Sequence, residues 1–472
     1  MNQRLHQPDL HEVEGTFVSK LVMRVTDPSA YLFRLWGLDS HKALIVVWTS
    51  IRLAVLLVWG IFRPETQGDV VYYFTHIRAM FSDGPQQIMM EYPTPVLWLL
   101  SIPYLLSGGH RTGYVIVFAI IMVALDACFS LSLWRQGGSL RAQAVTIWSV
   151  FVGCIGPTIY LRFDIVTSVI AGWSLLSLSL LHRREAGGLA GLGAAIKLWP
   201  ALLWPALCVG TRKDRHLVTI GFWSSGIFLA IASWIWAGWD RLISPLTWQS
   251  GRGLQIESVW ASVPVALRAF HIGDFAVTVS RFQAFEIYGT SVDLWITLSG
   301  IATVIGLAIL VIFYISWLIR GHTRLIEAAA FTLLVILMMI TTNKTFSPQY
   351  MIWLGGPLCA ALAILGNEDR TRYTFLGDRR RLLTLTAGIL LATVLTGIVF
   401  PIGYEALVRD FSRSAWFRFP ISCILVVRNG LIVALMIQVV RWIISFIKPT
   451  WWRNRVLHRD HIDSYASTRR KS

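Results

Sequence analysis

The sequence predicts an all-α polytopic membrane protein, a bundle of about 10–12 transmembrane or re-entrant helices with amphipathic helices on its outer face. Of its 472 residues, 55% are hydrophobic and only 14% are charged. Apolar stretches of about 20 residues recur along the whole chain, and a helix needs this length to cross a bilayer core. These stretches are predicted to be helices, because a helix satisfies every backbone amide within its own segment.

Ten crossing helices are predicted, at 43–62, 113–134, 142–157, 159–181, 217–238, 293–319, 325–341, 348–366, 383–400 and 421–446. Two further apolar segments are abnormal. Segment 92–107 is short and contains three prolines, and segment 187–209 has Lys197 and two prolines in its middle. Because proline removes a helical hydrogen bond and lysine is costly in lipid, both segments are predicted to be broken or re-entrant.

The net charge of +16 reflects membrane topology rather than nucleic-acid binding. Lys and Arg lie in the short loops between apolar segments and in both tails, as the positive-inside rule requires. Both termini are then cytoplasmic, provided that each broken segment starts and ends on one side. The outer segments are 63–91, the turn near 158–162, 239–292, the turn 342–347 and 401–420. The predicted division is a cytoplasmic tail 1–42, a membrane core 43–366, C-terminal transmembrane helices 367–446 and a basic cytoplasmic tail 447–472.

The five cysteines all lie inside apolar segments, without disulfide-framework or zinc-ligand spacing. They are predicted to be small core residues. The first 40 residues are polar and contain no apolar stretch of the kind that a cleavable signal peptide requires.

Residues 69–83 predict an amphipathic helix on the outer membrane surface. One face collects Val70, Val71, Phe74, Ile77 and Phe81, and the other collects Asp69, Tyr72, His76 and Asp83. Asp69 is a candidate general base, and the alternative is that it caps the helix N-terminus. His76 and Asp83 are candidates to orient Asp69 or to complete a divalent-metal site with it, and a solvated polar face is the preferred interpretation. Positions seven apart on a helix are too far apart for one small ion, so other segments would have to supply further metal ligands.

Arg162 and Asp164 stand at the outer end of a long predicted helix, on different faces. Arg162 either binds a phosphate or extends to the membrane interface, as terminal arginines commonly do. Asp164 enters the apolar zone and therefore requires a partner or a polar cavity.

The long outer segment contains Arg252 between two glycines, followed by Glu257. Flanking glycines let the backbone approach a ligand, and a guanidinium suits bidentate contact with phosphate. Glu257 is a candidate to bind hydroxyl groups or to hold Arg252. The alternative is a flexible surface loop with an incidental ion pair.

The turn 342–350 combines a structural signal with an unexplained charge. Ser347 followed by Pro348 is typical of an N-cap and first turn for the next helix. This cap does not account for Asn343 and Lys344. Both are predicted to lie on the outer face, where the positive-inside rule disfavours a lysine. Lys344 is a candidate for holding a lipid phosphate, assisted by the positive end of that helix.

Lys197 lies deep in an apolar segment and requires a counter-charge, for which Asp126 is the candidate partner. A structural buried pair is the preferred interpretation, and phosphate binding is the alternative.

These motifs resemble the membrane-embedded glycosyltransferases of the GT-C superfamily, above all the family 87 group of actinobacterial polyprenyl-phosphate-mannose-dependent mannosyltransferases. The resemblance covers roughly residues 43–366. It rests on Gly68-Asp69, Glu91-Tyr-Pro-Thr-Pro95, Arg162-Phe-Asp164, Gly191-Leu-Gly-Ala-Ala-Ile-Lys-Leu-Trp-Pro200, Arg252-Gly-Leu-Gln-Ile-Glu-Ser258 and Asn343-Lys-Thr-Phe-Ser-Pro-Gln-Tyr-Met-Ile-Trp353. The chain departs from the family pattern in Pro-Thr-Pro, where adjacent prolines are expected.

The resemblance implies a GT-C-like fold and a donor sugar, most simply mannose, carried on a polyprenyl phosphate. It also implies a glycolipid or glycan acceptor, transfer on the extracytoplasmic face of the plasma membrane, and Asp69 as the general base. Arg252, Lys344 and Arg162 would then face the donor phosphate. The residues expected to bind substrate or support the site are Tyr72, His76, Asp164, Lys197, Glu257, Asn343 and Gln349. No cofactor is assigned, with a divalent cation as the remaining candidate, and nucleic acid is not an expected partner.

One well-placed carboxylate fits a single inverting displacement, because a lipid phosphate is a good leaving group and the protein mainly positions the acceptor and removes a proton. Arabinofuranosyl or other pentosyl and hexosyl transfer would use the same residues. The competing function is a lipid-sugar transporter or flippase, for which broken helices and midplane charges are also expected. Such transporters usually have internal repeats, and this chain shows none. A silent scaffold would leave the outer Arg and Lys residues unexplained.

Overall fold

The computed structural model describes residues 40–61, 66–321, 323–369, 374–409 and 412–447. The two predicted cytoplasmic tails lie almost entirely outside these residues. In the first half of the described chain the helices are α1 (His41–Ile61), α2 (Gly68–Asp83), α3 (Thr94–Leu106), α4 (Arg111–Gln136), α5 (Arg141–Ile155), α6 (Asp164–Ser179), α7 (Arg183–Ile196), α8 (Trp204–Leu207) and α9 (Arg212–Ala237). Short 3₁₀ turns at Gly138–Leu140, Gly156–Ile159 and Trp199–Leu203 connect some of them.

The second half contains a small sheet followed by further helices. Its elements are α10 (Trp239–Ser250), β1 (Leu254–Gln255), α11 (Ser262–Ala269), β2 (Phe275–Val279), β3 (Phe285–Gly289), α12 (Val292–Arg320), α13 (Leu325–Thr342), α14 (Ile352–Gly366), α15 (Phe375–Gly397), α16 (Tyr404–Val408) and α17 (Ser412–Ile447). A 3₁₀ turn, Pro348–Met351, leads into α14, and a π-helical turn, Ile398–Ile402, follows α15.

Within the described residues, nine helical stretches are long and apolar enough to cross a membrane. Each of them coincides with a predicted crossing. The tenth predicted crossing, 159–181, is realised as the shorter α6 of 16 residues, because residues 160–163 turn away from the helix axis before Asp164. These helices confirm the predicted all-α polytopic fold class.

The outer segment 239–292 was expected to be a loop, and instead it forms a small folded unit. Its three strands make an antiparallel sheet in the order β1-β3-β2, in which Ile287 of the central strand faces both Leu254 and Val277. These three side chains are buried together with Ile421 and Leu425 of α17 in an apolar cluster separate from that of the main bundle. The sheet therefore fixes the chain around Gln255 against the C-terminal helix.

The broken segment 187–209 forms a re-entrant hairpin made of α7, the 3₁₀ turn and α8. Arg183 at the start of α7 lies 3.5 Å from Asp214 in the first turn of α9, measured from Nε to Oδ1. The hairpin therefore begins and ends at the same end of the bundle. Its tip, where α7 stops, is Lys197.

A buried ion pair inside the bundle corrects one sequence-based prediction. Asp126 was the candidate partner of Lys197, but its carboxylate lies 2.7 Å from Nη2 of Arg52 in α1. Trp148 and Tyr160 also donate to Asp126, at 2.6 and 2.5 Å. With a second nitrogen of Arg52 and the Ser130 hydroxyl, five donor atoms satisfy this buried carboxylate, as a charge in an apolar surrounding requires. Arg52 is a charge inside a predicted crossing helix, but no pattern in the sequence indicates that this helix packs against α4, so the pair was overlooked.

Candidate active site

A cavity of about 1110 Å³ opens where the predicted outer segments meet. Its wall takes residues from α2 and the loop after it, from Arg162, from the unit 245–285, from the turn 343–350, and from Phe400 and Tyr404. The tip of the re-entrant hairpin completes the wall. The predicted site residues that line this cavity are Asp69, Tyr72, His76, Arg162, Lys197, Arg252, Glu257, Asn343 and Gln349. Asp164 and Lys344 lie behind its surface.

Asp69 stands in the first turn of α2 and points its carboxylate at Arg162. The N-cap position is Gln67, and it makes no side-chain capping bond, so the alternative reading of Asp69 as the cap is wrong. The Arg162 guanidinium forms an ion pair with the Asp69 carboxylate. Arg162 therefore turns inward to the cavity instead of extending to the membrane interface, and its burial lowers its pKa to about 10.

Tyr72 and His76 form a second contact group one turn further along α2. The Tyr72 hydroxyl donates to Oε1 of Glu91 at 2.6 Å, and burial followed by the charge of Glu91 raises the pKa of Tyr72. His76 packs its ring on that of Tyr72, with centroids 3.9 Å apart, and places Nδ1 2.9 Å from the Tyr72 carbonyl oxygen. Asp83 was a candidate to orient Asp69, but it is exposed at the far end of α2. Fourteen residues of helix separate the two by about 21 Å.

Lys197 has Asp164 as its counter-charge. The Lys197 ammonium contacts the Asp164 carboxylate, which also accepts from Nε1 of Trp353 at 2.6 Å. The ammonium lies over three aromatic rings, with Nζ 4.9 Å from the Trp353 centroid and 5.4 Å from that of Tyr350. Asp164 is therefore a buried support for Lys197 rather than a wall residue, which meets its expected need for a partner.

Glu257 is fully buried and is held from the C-terminal helix. Its Oε2 lies 3.0 Å from Nη1 of Arg428, and its main-chain oxygen accepts from Nη2 of the same residue at 2.6 Å. Asn429 adds a bond to the Ser258 carbonyl oxygen at 3.1 Å. The expectation that Glu257 holds Arg252 is therefore wrong. Burial raises the pKa of Glu257, and Arg428 opposes this rise.

Arg252 faces the cavity beside a second cation, Arg281. Both guanidinium groups lie over the ring of Phe282, with Cζ at 5.7 and 4.8 Å from its centroid. Within the described residues, no carboxylate lies within ion-pair distance of Arg252 or Arg281. Lys344 stands behind this pair. Its pKa is lowered by partial burial, an effect that Glu286 opposes and Arg252 reinforces.

The turn before α14 is held by its polar side chains. Oδ1 of Asn343 accepts from the amide and the hydroxyl of Thr345, both at 3.0 Å. Ser347 occupies the predicted N-cap position, but its side chain accepts from Nε2 of Gln255 at 2.9 Å and makes no capping bond. The positive end of the helix that starts at Pro348 therefore opens toward the cavity.

Comparison with known proteins identifies the family of the chain. The model of glycosyltransferase family 87 matches residues 91–342, which is more than half of the sequence. The chain belongs to glycosyltransferase family 87. The predicted resemblance is thereby confirmed, and this protein is a multi-pass membrane glycosyltransferase.

Two other comparisons add little to this assignment. Among solved structures, the family 87 chain is similar to ArnT from Cupriavidus metallidurans bound to undecaprenyl phosphate, with 12% identity, 85% of this chain and 78% of that chain covered, and a TM-score of 0.36. A structural similarity this low supports no conclusion about the site. No curated protein matches the sequence.

Several residues that line the family 87 cavity or support its wall were overlooked in the sequence. Arg241 is buried and donates to the carbonyl oxygens of Tyr92 and Met89, at 2.8 and 3.1 Å, which fixes the loop that carries Glu91. Glu91 lay within a quoted motif but was not assigned to the site. Arg281 and Arg428 lay outside every motif. Arg428 alone gave a signal, as a charge in the middle of a predicted crossing helix.

No group of three or more His, Cys, Asp or Glu side chains with metal-site geometry occurs among the residues that the structure describes. Asp69 and Glu257 in the wall of the family 87 cavity have arginine partners, and Glu91 accepts from the Tyr72 hydroxyl.

Proposed function

We propose that this family 87 protein transfers a sugar, with mannose favoured, from a polyprenyl-phosphate donor to a glycolipid or glycan acceptor on the outer face of the membrane. One observation supports the proposal: the Asp69 carboxylate shares a cavity with cations from distant segments, among them Arg252, which has no carboxylate partner in the described part of the chain. Such a cavity matches a substrate with a hydroxyl to deprotonate and a phosphate to bind.

In the proposed reaction Asp69 takes the proton of the acceptor hydroxyl. Its ion pair with Arg162 orients the carboxylate toward the cavity. The acceptor oxygen attacks the anomeric carbon as the bond to the lipid phosphate breaks, so the configuration at that carbon inverts. Asp69 is the single catalytic carboxylate in this scheme, and no covalent intermediate forms.

The departing phosphate gains negative charge, which Arg252 and Arg281 would stabilise together with the positive end of the helix at Pro348. Lys344 adds positive charge from behind Arg252. Because Arg281 is exposed and Arg252 half-buried, this phosphate site lies toward the cavity opening, where a lipid-anchored donor would enter.

The outer-face location is supported by the distribution of charge in the bundle. The ends of the helices away from the cavity carry basic groups such as Arg184, Arg212, Lys213 and Arg320. The positive-inside rule assigns that end to the cytoplasm and the cavity to the opposite face.

Purified protein incubated with a panel of polyprenyl-phosphate sugars and membrane glycolipids tests the proposal, with products identified by mass spectrometry. We expect Asp69→Asn to lower the transfer rate about 100-fold or more, because a positioned general base contributes at least this much. Asp83→Asn on the same helix, outside the cavity, is the control and should transfer at the normal rate. An Asp69→Asn variant that folds and transfers normally would exclude Asp69 as the base.

The competing transporter function predicts a different result in reconstituted vesicles. Labelled lipid-sugar would move between leaflets without any product, and this movement would be insensitive to the presence of acceptor. Product formation that depends on acceptor separates the two functions.

A further inference from the structure

We propose that Gln255, Glu257 and Gln349 form a hydroxyl-binding subsite that holds a neutral sugar ring beside Asp69. This inference rests on the proposed function. The three residues are named the acceptor patch because their side-chain oxygens accept hydrogen bonds, and we assign them to the sugar rather than to the phosphate. Each of them lines the cavity. Their relative exposures are 4%, 0% and 8%, so all three are more than nine-tenths buried.

Each residue of the acceptor patch keeps one side-chain oxygen without a partner. Oε1 of Gln255, Oε1 of Glu257 and Oε1 of Gln349 have no hydrogen bond within the described part of the chain. A buried acceptor without a donor is costly, so its donor is normally supplied by an ordered water or by a ligand. Three such oxygens belong to residues that line one cavity, and this points to a ligand with several hydroxyl groups.

Two residues of the acceptor patch are held in place by their remaining polar atoms. Nε2 of Gln255 donates to the Ser347 hydroxyl at 2.9 Å, and Oε2 of Glu257 accepts from Arg428 at 3.0 Å. The main-chain N–H of Gln255 also donates to the carbonyl oxygen of Lys344 at 3.1 Å, and this bond joins Gln255 to the turn that carries Gln349. The free oxygens of Gln255 and Glu257 are therefore fixed before a ligand arrives, as a selective site requires.

The chemistry of the acceptor patch selects a neutral polyol over an anion. Carboxylate and amide oxygens accept hydrogen bonds, and a sugar ring supplies O–H donors in several directions. A phosphate supplies only acceptor oxygens and would be repelled by Glu257. Phosphate binding is thereby left to Arg252 and Arg281.

The acceptor patch lines the same cavity as Asp69, the proposed catalytic carboxylate. The Arg162 guanidinium pairs with Asp69 and is also within electrostatic range of Glu257, each favouring the charged form of the other. A sugar ring on the patch is therefore presented to the side of the cavity where Asp69 removes the proton.

Binding measurements with defined probes test the acceptor patch. The probes are undecaprenyl phosphate, undecaprenyl-phosphate mannose and methyl α-mannoside, titrated against wild type, Gln255→Met and Gln349→Met. The control is Gln143→Met, because Gln143 is 5% exposed and also has an unpartnered Oε1, but lies in α5 outside the cavity. Methionine keeps the length of the side chain and removes the acceptor.

We expect the patch variants to weaken sugar binding about 5- to 30-fold and to leave bare undecaprenyl phosphate unchanged. If the donor sugar occupies the patch, the preference for the mannosylated lipid over the bare lipid falls. If the acceptor sugar occupies it, affinity for methyl α-mannoside falls instead. Unchanged sugar affinity in both patch variants, or an equal loss in Gln143→Met, would overturn the assignment.

The failure of the patch and the failure of the proposed function give different results. A wild-type protein that binds no lipid phosphate and forms no product contradicts the proposed function. A wild-type protein that binds the bare lipid, but gains nothing from mannose on the lipid or free in solution, contradicts the patch alone.

Discussion

At the scale of single residues, two buried carboxylates at the cavity are paired with cations that lie far away in the sequence. Asp164 has Lys197, and Glu257 has Arg428. Removing one member of a buried pair leaves an uncompensated charge, whereas removing both leaves none. Single and double substitutions of the same pair therefore have different expected effects on stability.

Lys197→Met is expected to lower the free energy of unfolding by about 3–5 kcal/mol, because Asp164 stays buried without its counter-charge. The double variant Lys197→Met/Asp164→Asn should recover most of this loss. Unfolding of the purified protein in detergent measures both, with Lys213→Met, an exposed lysine at the start of α9, as the control. Equal stability of the single and double variants would show that the pair is not a unit.

The pairing of these residues was only partly predictable. A lysine or an aspartate in an apolar segment needs a partner of opposite charge, and this need was predicted correctly for Lys197 and Asp164. It assigned Lys197 to Asp126, because both stand inside apolar segments and nothing local distinguishes Asp126 from Asp164. The choice depends on helix packing, which brings Arg52 to Asp126 and leaves Asp164 for the hairpin tip.

At the scale of elements, α7 and α9 approach each other closely through glycines. A Cβ at Gly221 would lie 2.0 Å from the carbonyl oxygen of Arg184, and one at Gly187 would lie 2.0 Å from that of Val218. Gly188, on the same helix as Gly187, has only one neighbour, at 3.8 Å. This contact sets the position of α7 and hence of Lys197 at its end.

Gly221→Ala is expected to destabilise the protein by about 1–3 kcal/mol, because the added methyl group forces the two backbones apart. Gly188→Ala should be tolerated and is the matched control. Thermal unfolding in detergent compares the two. The close-packing argument is contradicted by a Gly221→Ala variant as stable as Gly188→Ala.

Periodicity decided which elements were predictable. The helix α2 was predicted because its polar and apolar residues alternate with a helical repeat over four turns. Its buried face contains Val70, Phe74 and Ile77 as expected, together with Tyr73 and Met80. The sheet was not predicted, because strands of two to five residues are too short to establish an alternation above background.

At the scale of the whole molecule, the C-terminal helix α17 completes a site that belongs mainly to earlier segments. Arg428 and Asn429 reach Glu257 and Ser258 from beyond the residues matched by the family model. The positive-inside rule predicted that the outer segments lie on one side of the membrane. The contribution of α17 could not be predicted from the sequence, since it depends on contacts between segments far apart in the chain.

Arg428→Met is expected to cost about 3–5 kcal/mol in the free energy of unfolding, because Glu257 then stays buried without a cation. Arg441→Met, an exposed arginine on the same helix, should be near neutral. Adding Glu257→Gln to Arg428→Met should restore much of the stability but not the transfer rate, because the acceptor patch stays altered. Denaturation curves and product formation measure the two effects, and recovery of full activity would separate Glu257 from substrate binding.

Cysteine labelling in intact cells tests the membrane orientation of the whole molecule. In a chain with its five cysteines replaced, Asp274→Cys in the sheet unit should react with a membrane-impermeant maleimide from outside. His182→Cys, at the opposite end of the bundle, should react only after the membrane is disrupted. Both residues are exposed. The reverse pattern would place the cavity in the cytoplasm.

Charges are paired unevenly along the cavity, and this affects the orientation in which a substrate enters. Farther from the opening, Arg162 and Lys197 in the cavity wall are each balanced by a carboxylate, while near the opening Arg252 and Arg281 have none among the described residues. An amphiphile with one anionic end and one uncharged end thus meets a gradient that favours a single polarity of entry. Its uncharged end enters first and its anion stays near the opening beside Arg252 and Arg281, so the charges of the cavity determine the orientation in which the molecule binds.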